Sequence, residues 1–323
     1  MNNLLRVVFF GTPEFAVPSL RALLAGRDPV IGVVCQPDKP AGRGQQLTVA
    51  PVKRAALRAG LAVFQPEKLR APETLETLAS WAPDLIVVAA YGKILPKLIL
   101  ELPPLGGINV HASLLPKYRG AAPIQWAILR GEQRTGITIM CMNERMDAGD
   151  ILLQQEIDIG PQETCGELQA RLAEVGARAL METIARLHAG TLMRQPQQDD
   201  QMTLAPMIKK EDGRIDWTQP AVLIARMVRA FNPWPSAFTS LGGKQLKIHR
   251  AHAKALQPTG PPGTALRADN GIWVATGEGT LVLDEVQLEG RKRLSAAAFA
   301  RGAVKVGMVL GESDSPSLPR KGT

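Results

Sequence analysis

The sequence predicts an α/β fold in which a doubly wound, mostly parallel, Rossmann-like sheet is followed by a second, smaller β-barrel or open sheet. In residues 1–190, short apolar runs alternate with amphipathic stretches, and this alternation is typical of parallel βαβ units. The run at residues 85–90 is apolar throughout, as expected of a strand buried on both faces. After residue 205, short β-like runs are punctuated by glycine, which indicates an all-β domain.

Each element of the first domain follows from its own pattern. The predicted strands are residues 6–10, 30–35, 61–65, 84–91, 107–111, 136–142 and 151–159. The predicted helices are residues 15–25, 52–59, 73–81 and 163–188. In the last of these, Leu168, Leu172 and Val175 belong to a series of apolar side chains at roughly helical spacing.

The chain is predicted to change domain close to residue 190. Gly190 ends the last helix, and residues 194–201 include no apolar residue except proline. We therefore expect a first domain at 1–190, a linker at 191–205, a second domain at 206–312 and a loose tail at 313–323. The second domain is predicted to hold one helix, at 221–231, and strands at 237–241, 245–252, 271–276 and 280–288.

Composition excludes several classes of protein. The 323 residues are enough for about two domains, and 45% of them are hydrophobic, which excludes global disorder. No apolar run approaches the ~18 residues of a membrane span, and the N-terminus lacks the layout of a signal peptide. Three scattered cysteines predict neither a disulfide framework nor a zinc site. We expect a soluble cytoplasmic protein without a structural metal and, because no helix resembles a dimer interface, a monomer.

The net charge of +8 is distributed unevenly along the chain. Residues 1–200 contain 21 Lys and Arg against 20 Asp and Glu, whereas residues 201–323 contain 17 against 10, a net charge of +7. Such an excess either keeps a surface soluble or attracts a polyanion such as nucleic acid, and charge alone leaves both readings open.

The first predicted strand ends in a turn that lacks the usual phosphate-binding glycines. Gly11 is followed by Thr12 and Pro13, where a dinucleotide fold would place Gly-x-Gly-x-x-Gly. No Gly-x-x-x-x-Gly-Lys-Ser/Thr loop occurs elsewhere. Nicotinamide or flavin binding through this turn is therefore not expected.

Asn109 and His111 are the first candidates for a reactive site. Residues i and i+2 of a strand face the same side, so both side chains point one way at the carboxyl end of a buried strand. Open α/β sheets bind their ligands at that end. The proline-rich segment 113–124 that follows is expected to form a stiff pocket wall without any regular element. A satisfied core histidine beside a turn asparagine is the alternative.

Asp147 precedes the predicted strand 151–159 and is placed to reach His111, fix its tautomer and raise its pKa. These three residues would lack a nucleophile, because no Ser-His or Cys-His pairing stands out and Cys141 is expected to be a buried core residue. The trio therefore suits direct transfer, in which the attacking group belongs to the substrate and the protein supplies an oxyanion donor and proton handling.

Residues 36–49 are long for a loop between a strand and a helix, and they carry Lys39 and Arg43 among prolines and glycines. A flexible surface insertion is one interpretation. Contact with phosphate groups is the other, because long basic loops at the edge of a site are often functional.

Taken together, these segments resemble the methionyl-tRNA formyltransferases, a family of folate-dependent formyltransferases. The similarity runs from residue 6 to about residue 310. The motifs that carry it are FGTPEFA (10–16), QPDKPAGRG (36–44), NVHASLLPKYRGAAPI (109–124), MDAG (146–149), KEDGRIDW (210–217) and AFNPWP (230–235).

The resemblance implies a function for each of these segments. It places Asn109, His111 and Asp147 at the catalytic positions. The tetrahydrofolate contacts fall on Ser113, Leu114, Leu115 and Pro116. The tRNA contacts fall on Lys39, Arg43, Lys209 and Lys210, with Arg43 the key cation of the loop that approaches the acceptor end. The second domain resembles an oligonucleotide-binding (OB-like) barrel. The implied co-substrate is 10-formyltetrahydrofolate, with no metal, and the implied partner is methionyl initiator tRNA.

Three other functions stay open at this point. A formyltransferase for a small amine would need the first domain but not the basic second one. A formyltetrahydrofolate hydrolase would use the same three residues with water as the nucleophile. An RNA-binding module on a disused enzyme scaffold would need the basic barrel but not Asn109, His111 and Asp147.

Overall fold

The computed structural model describes residues 4–41, 46–269 and 271–311, and they divide into two compact units. The first comprises residues 4–41, 46–124, 133–159 and 167–207, and the second residues 125–132, 160–166, 208–269 and 271–311. The predicted tail at 313–323 lies outside the described residues. The predicted domain and linker boundaries stay predictions.

A seven-stranded sheet forms the centre of the first unit. The strands up to residue 205 are β1 (Val7–Gly11), β2 (Val30–Val34), β3 (Lys39–Ala41), β4 (Gln46–Thr48), β5 (Val63–Phe64), β6 (Leu85–Ala89), β7 (Gly107–His111), β8 (Arg119–Gly120), β9 (Arg134–Cys141), β10 (Ile151–Asp158) and β11 (Leu204–Ala205). The order in the sheet is β10-β9-β7-β6-β1-β2-β5. The chain moves outward from β1 to β5, returns to β6 and then moves outward in the other direction.

The five strands from β5 to β7 are parallel, which confirms the predicted doubly wound architecture. β1 and β6 are buried along their whole length, as their continuous apolar sequences require. β9 and β10 instead run antiparallel to their neighbours, and β10 alternates between half-buried and exposed residues from Leu153 onward. An antiparallel edge strand has one solvated face, which accounts for this alternation.

Helices connect the strands of both units. They are α1 (Val17–Ala25), α2 (Pro51–Arg58), α3 (Pro72–Ser80), α4 (Lys97–Leu100), α5 (Pro123–Leu129), α6 (Cys165–Ala189), α7 (Ala221–Ala230) and α8 (Ala296–Ala303). Proline lies at the first or second position of α1, α2 and α3, where its missing N–H leaves no helical hydrogen bond unmade. One hydrophobic core packs the β1, β2 and β6 side chains Phe10, Val34 and Val88 against Leu78 of α3.

The second unit is built on an antiparallel half-barrel sheet. Its strands are β12 (Ala237–Leu241), β13 (Lys244–Lys254), β14 (Ala265–Arg267), β15 (Ile272–Ala275), β16 (Thr280–Leu288) and β17 (Leu294–Ser295). They are ordered β12-β13-β16-β15-β14, with β17 beside β16. The core contains Leu246, Ile248 and Leu281 from the sheet together with Ile224 and Val228 from α7.

Several elements were not predicted because they are too short to show a periodicity. They are α4, α5, α8, β8, β11, β14, β17 and the antiparallel pair β3–β4 inside the loop 36–49. The expectation that residues 113–124 hold no regular element is wrong. β8 pairs in parallel with β11, a partner far along the chain that no local pattern could indicate, and α5 begins at Pro123.

Candidate active site

Strand β7 brings Asn109 and His111 to the same side of the sheet, at its carboxyl end. β7 lies between the parallel strand β6 and the antiparallel strand β9, and Asn109 pairs with Val88 on one side and Met140 on the other. His111 is buried, whereas Asn109 is half-buried. Within the described residues the side-chain amide of Asn109 has no hydrogen-bond partner, so it is available to a bound molecule.

One ring nitrogen of His111 is committed to the protein. The Nε2 atom lies 3.0 Å from the carbonyl oxygen of Tyr118. Because a carbonyl oxygen only accepts, Nε2 carries a hydrogen and donates it. The other ring nitrogen, Nδ1, lies 3.7 Å from Oδ1 of Asp147, which is too long for a hydrogen bond. Nδ1 is therefore the atom through which His111 can act on a substrate, and the predicted fixing of the tautomer comes from Tyr118 rather than from Asp147.

Asp147 is held in an unusual backbone conformation next to His111. Its φ angle of +51° lies in the left-handed region, which asparagine and aspartate tolerate better than most residues. One carboxylate oxygen, Oδ2, accepts a hydrogen bond of 2.9 Å from the Gly120 amide. The turn also needs Gly149, because a Cβ at that position would lie 1.9 Å from the Cys141 carbonyl oxygen. Backbone and turn together aim Oδ1 at the histidine.

The segment predicted to contact folate is tied to strand β9 from within. The Ser113 hydroxyl donates to the Lys117 carbonyl at 2.6 Å, and the buried Thr138 hydroxyl donates to the Ser113 carbonyl at 2.7 Å. Leu115 donates its amide to the same hydroxyl at 3.1 Å. Ser113 and Leu115 are buried, whereas Leu114 and Pro116 are half-buried. Of these four residues, Leu114 and Pro116 expose more apolar side-chain surface to a ligand.

The four residues predicted to contact tRNA lie in two different parts of the chain. Arg43 lies outside the described residues, and Lys39 is described only as the first backbone position of β3. Lys209 and Lys210 belong to the second unit and are exposed. The backbone amide of Lys209 donates a hydrogen bond of 2.7 Å to Oδ2 of Asp212.

The ends of the basic loop are fastened by a polar cluster. The Asp38 carboxylate accepts hydrogen bonds from the Lys53 ammonium, the Gln65 amide and the Ala50 backbone. The hydrogen bond from Lys53 is the main cause that holds the pKa of Asp38 below its ordinary value. Gln36 donates through its side chain to the Tyr91 carbonyl at 2.6 Å. These contacts join the start of the loop to its end and to Tyr91, the second residue after β6.

Residues that the sequence interpretation missed surround His111 and Asp147. Arg119, Gln197, Asp199 and Thr203 contact the segments that hold the two catalytic candidates. Three of them lie in or after the polar stretch 194–201, whose lack of apolar residues indicated a linker. The polar composition of this stretch was the available signal for these residues. It was read as a linker because a solvated linker and a set of hydrogen-bonding side chains have the same composition.

Family models match both parts of the chain. The model described as "Formyl transferase" matches residues 5–184, and the one described as "Formyl transferase, C-terminal domain" matches residues 207–304. The chain belongs to the formyl transferase family. Formyl transferases use formyltetrahydrofolate as the formyl donor, so this one is an enzyme that transfers a formyl group.

Similar proteins extend over nearly the whole of this formyl transferase. A methionyl-tRNA formyltransferase of Desulfotalea psychrophila is 53% identical over 304 residues, which is 94% of each chain. Proteins with the same name are 51% identical in Solibacter usitatus, over 92% of this chain and 96% of the relative. In Geobacter sulfurreducens the identity is 49%, over 96% and 98% of the two chains.

Solved structures share the fold at low sequence identity. WlaRD, a sugar 3N-formyl transferase, has a TM-score of 0.65 and 17% identity, over 90% of this chain and all of its own. HypX from Aquifex aeolicus, in complex with tetrahydrofolic acid, has a TM-score of 0.62 and 18% identity. That match covers 94% of the formyl transferase but only 49% of HypX, so the chain spans about half of that protein.

The cysteines of the formyl transferase are poor nucleophiles. Burial raises the pKa of the Cys35 and Cys165 thiols to about 12, and it also raises the pKa of Cys141. Cys141 is half-buried at the end of β9, so the expectation that it is a buried core residue is wrong.

The described residues contain neither a cluster of metal ligands nor a helix suited to a membrane. In residues 4–41, 46–269 and 271–311, no three His, Cys, Asp or Glu side chains are grouped so as to hold a metal ion. Nor does any helix in those ranges combine the length and the apolar character that crossing a membrane requires.

Proposed function

We propose that this formyl transferase moves the formyl group of 10-formyltetrahydrofolate to the α-amine of methionyl initiator tRNA, with Asn109, His111 and Asp147 as its catalytic residues. The observation that carries the chemistry is the unpartnered Asn109 amide on the same strand face as His111, whose Nδ1 faces Asp147. The names of relatives about half identical over most of the chain support methionyl-tRNA as the acceptor.

The reaction requires no covalent bond to the protein. The neutral amine of methionine attacks the formyl carbon, and the carbonyl oxygen becomes an oxyanion. The Asn109 amide donates a hydrogen bond to that oxygen, which stabilises the tetrahedral intermediate. The bond from the formyl carbon to N10 of the folate then breaks. The amine has lost one proton and N10 has gained one, so the charges balance.

His111 acts through Nδ1 in this mechanism. Because Nε2–H is bonded to the Tyr118 carbonyl, the neutral ring offers only an acceptor at Nδ1. Donation to the oxyanion therefore requires the charged ring, in which both nitrogens carry hydrogen. Asp147 lies on the Nδ1 side, where its negative carboxylate stabilises a positive charge on the ring. A water held by Asp147 completes the path of the proton from the amine to N10.

Folate and tRNA are assigned to different groups of residues. Leu114 and Pro116 offer an apolar wall for the folate ring system, and hydrogen bonds with the Thr138 hydroxyl hold the backbone of Ser113 and Leu115 beneath that wall. Arg43, Lys39, Lys209 and Lys210 attract the phosphates of tRNA. The net charge of +7 in residues 201–323 agrees with this assignment. A monomer in the cytoplasm is part of the same proposal.

The first test is formyl transfer from 10-formyltetrahydrofolate to purified methionyl initiator tRNA, with uncharged tRNA as the control. Transfer that depends on the methionyl group supports both substrates. Release of formate without transfer would assign the chain to the hydrolases. Transfer to a purine precursor or an amino sugar in preference to tRNA would favour the small-amine enzyme. Binding of tRNA without any reaction would favour the binding module.

A further inference from the structure

Residues 195–205 form part of the support of the catalytic loop, although their composition resembles that of a linker. At one end, Gln195 exchanges two backbone hydrogen bonds with Ile151, of 2.8 and 2.9 Å. At the other end, β11 pairs with β8, and the Thr203 hydroxyl accepts a hydrogen bond of 2.9 Å from the Tyr118 amide. The segment is thus fixed on both sides of Gln197.

Gln197 uses its whole side-chain amide to join two parts of the site. Its Nε2 donates to the Asp147 carbonyl at 2.9 Å and to the Gly149 carbonyl at 2.7 Å. Its Oε1 accepts from Nε and Nη2 of Arg119, at 3.0 and 2.7 Å. Both donors and both lone pairs are therefore satisfied. A side chain bonded four times in this way keeps a single orientation.

The two carbonyl groups that Gln197 bonds flank the turn on which Asp147 depends. Asp147 has a φ angle of +51°, a conformation that costs free energy and persists only when the surroundings hold it. The position of its carboxylate relative to His111 follows from that turn. The two hydrogen bonds from the Gln197 amide hold this turn in its conformation.

Gln197 is in turn held by a buried cation. The side chain of Arg119 is 5% exposed, and it donates to the Asp199 carboxylate at 2.8 Å as well as to Gln197. Asp199 also accepts from Arg145 at 2.8 Å. The hydrogen bonds from Arg145 and Arg119 hold the pKa of Asp199 below its ordinary value, so it stays ionised near neutral pH. A buried guanidinium needs such partners, which fixes the place of Gln197.

We infer that Gln197 is a positioning residue that sets the carboxylate of Asp147 against His111, with Asp199 and Arg119 holding Gln197 in place. This inference rests on the proposed role of Asp147 in formyl transfer. It assigns a part in the reaction to a segment outside the predicted catalytic domain. The amide of Gln197 touches no reacting atom and acts through the Asp147 turn.

Two substitutions distinguish the hydrogen bonds that the Gln197 side chain donates from those that it accepts. Gln197→Glu keeps oxygens that accept from Arg119 but can no longer donate to the Asp147 and Gly149 carbonyls. Gln197→Leu removes both sets of bonds. The matched control is Gln198→Leu, because Gln198 is the exposed neighbour and bonds only to Gln201 in the described chain. The assay is formation of tetrahydrofolate with methionyl initiator tRNA, together with the melting temperature of each variant.

We expect Gln197→Glu to lower kcat by about 10- to 100-fold, since a small displacement of a catalytic group is enough for a loss of that size. The KM values for both substrates should stay within about twofold, and the melting temperature should stay close to that of Gln198→Leu. In the Asp147→Asn background, Gln197→Glu should cost less than about twofold, because the group that it positions is already lost.

A second readout does not depend on turnover. The ring chemical shifts of His111, measured by NMR, should change in Gln197→Glu in the same direction as in Asp147→Asn and stay unchanged in Gln198→Leu. An active wild-type protein whose Gln197→Glu variant keeps its kcat and its His111 shifts would overturn the inference, and so would fully additive losses in the double variant. Absence of transfer by the wild type would instead contradict the proposed function, while the chemical shifts would still decide the inference.

Discussion

At the scale of single residues, the site is defined by which polar atoms remain unpaired. Tyr118 occupies Nε2 of His111, and Gly120 occupies Oδ2 of Asp147. The atoms that stay unbonded within the described residues are Nδ1 of His111, Oδ1 of Asp147 and the amide of Asn109. One half of each titratable side chain is thus used for orientation, and the proposed mechanism uses the other half.

Asn109→Ala should lower kcat by about 10²- to 10³-fold, because it removes a donor to the oxyanion. The fold should persist, since Asn109 has no side-chain hydrogen bond to the described chain. The measurement is the single-turnover rate of formyl transfer, with circular dichroism as the check on folding. Asn143→Ala is the control, because Asn143 is exposed and only closes a local turn with Arg145. A rate close to that of the wild type would remove Asn109 from the mechanism.

At the scale of elements, the candidate groups lie at the carboxyl end of one strand and in the turn before another. β7 supplies the first pair, and the turn before β10 supplies Asp147. The geometry of that turn depends on the close approach of Gly149 to the Cys141 carbonyl. Small backbone changes here are expected to affect stability and rate together.

Gly149→Ala should destabilise the protein by about 3 kcal/mol and lower kcat, because the added Cβ would lie 1.9 Å from a backbone oxygen that cannot move freely. Urea unfolding and the rate of formyl transfer measure the two effects. Gly260→Ala is the control, because its Cβ would meet nearest atoms only at 3.4 Å. Equal stability of the two variants would show that the turn tolerates a side chain.

Asp38→Ala tests the fastening of the basic loop through its pH dependence. The pKa of Asp38 is lowered in the folded protein by Lys53, so its contribution to stability is complete above the unfolded value of about 3.9 and is lost as pH falls through the lower folded value. We expect the variant to be about 1 kcal/mol less stable than the wild type at pH 7.

The difference should shrink as the pH falls below about 4, which urea unfolding across that range would measure. The exposed Asp200 provides the control, since Asp200→Ala should leave stability unchanged across the same range. A difference between wild type and Asp38→Ala that grows on acidification would contradict the assignment.

At the scale of the whole molecule, the proposed tRNA substrate makes the uneven charge testable. The first 200 residues carry a net charge of +1 and the remaining 123 a net charge of +7. A polyanion of the size of tRNA responds to the summed charge as well as to single contacts, so the rate at limiting substrate should fall with added salt.

Arg43→Ala should lower kcat/KM for methionyl-tRNA while the affinity for folate is unchanged, because a phosphate contact is lost. The slope of log kcat/KM against log salt concentration should become shallower by about one. The exposed Arg70 supplies the control variant Arg70→Ala. An unchanged KM, turnover and salt slope in Arg43→Ala would exclude this residue from tRNA binding.

Local sequence was sufficient to predict the elements whose apolar side chains recur periodically and pack against a core. The strands 107–111, 237–241 and 280–288 begin and end at the predicted residues. β5 is shorter than predicted, because only Val63 and Phe64 reach a partner on β2. The two-residue strands β8 and β11 escaped prediction, since each exists only through pairing with the other.

The sequence by itself determined the family, the doubly wound sheet and the three catalytic candidates, because hydrophobic period, charge and short motifs are local properties of the chain. The tertiary structure decided which nitrogen of His111 is free, how the Asp147 turn is held and that residues 195–205 support the site. The free nitrogen of His111 depends on a bond to Tyr118, only 7 positions away, that the local sequence pattern does not show. The other two features depend on hydrogen bonds between residues 27 to 85 positions apart, such as Gly120 with Asp147 and Tyr118 with Thr203. Distances of that kind are set by folding as a whole, and no local pattern records them.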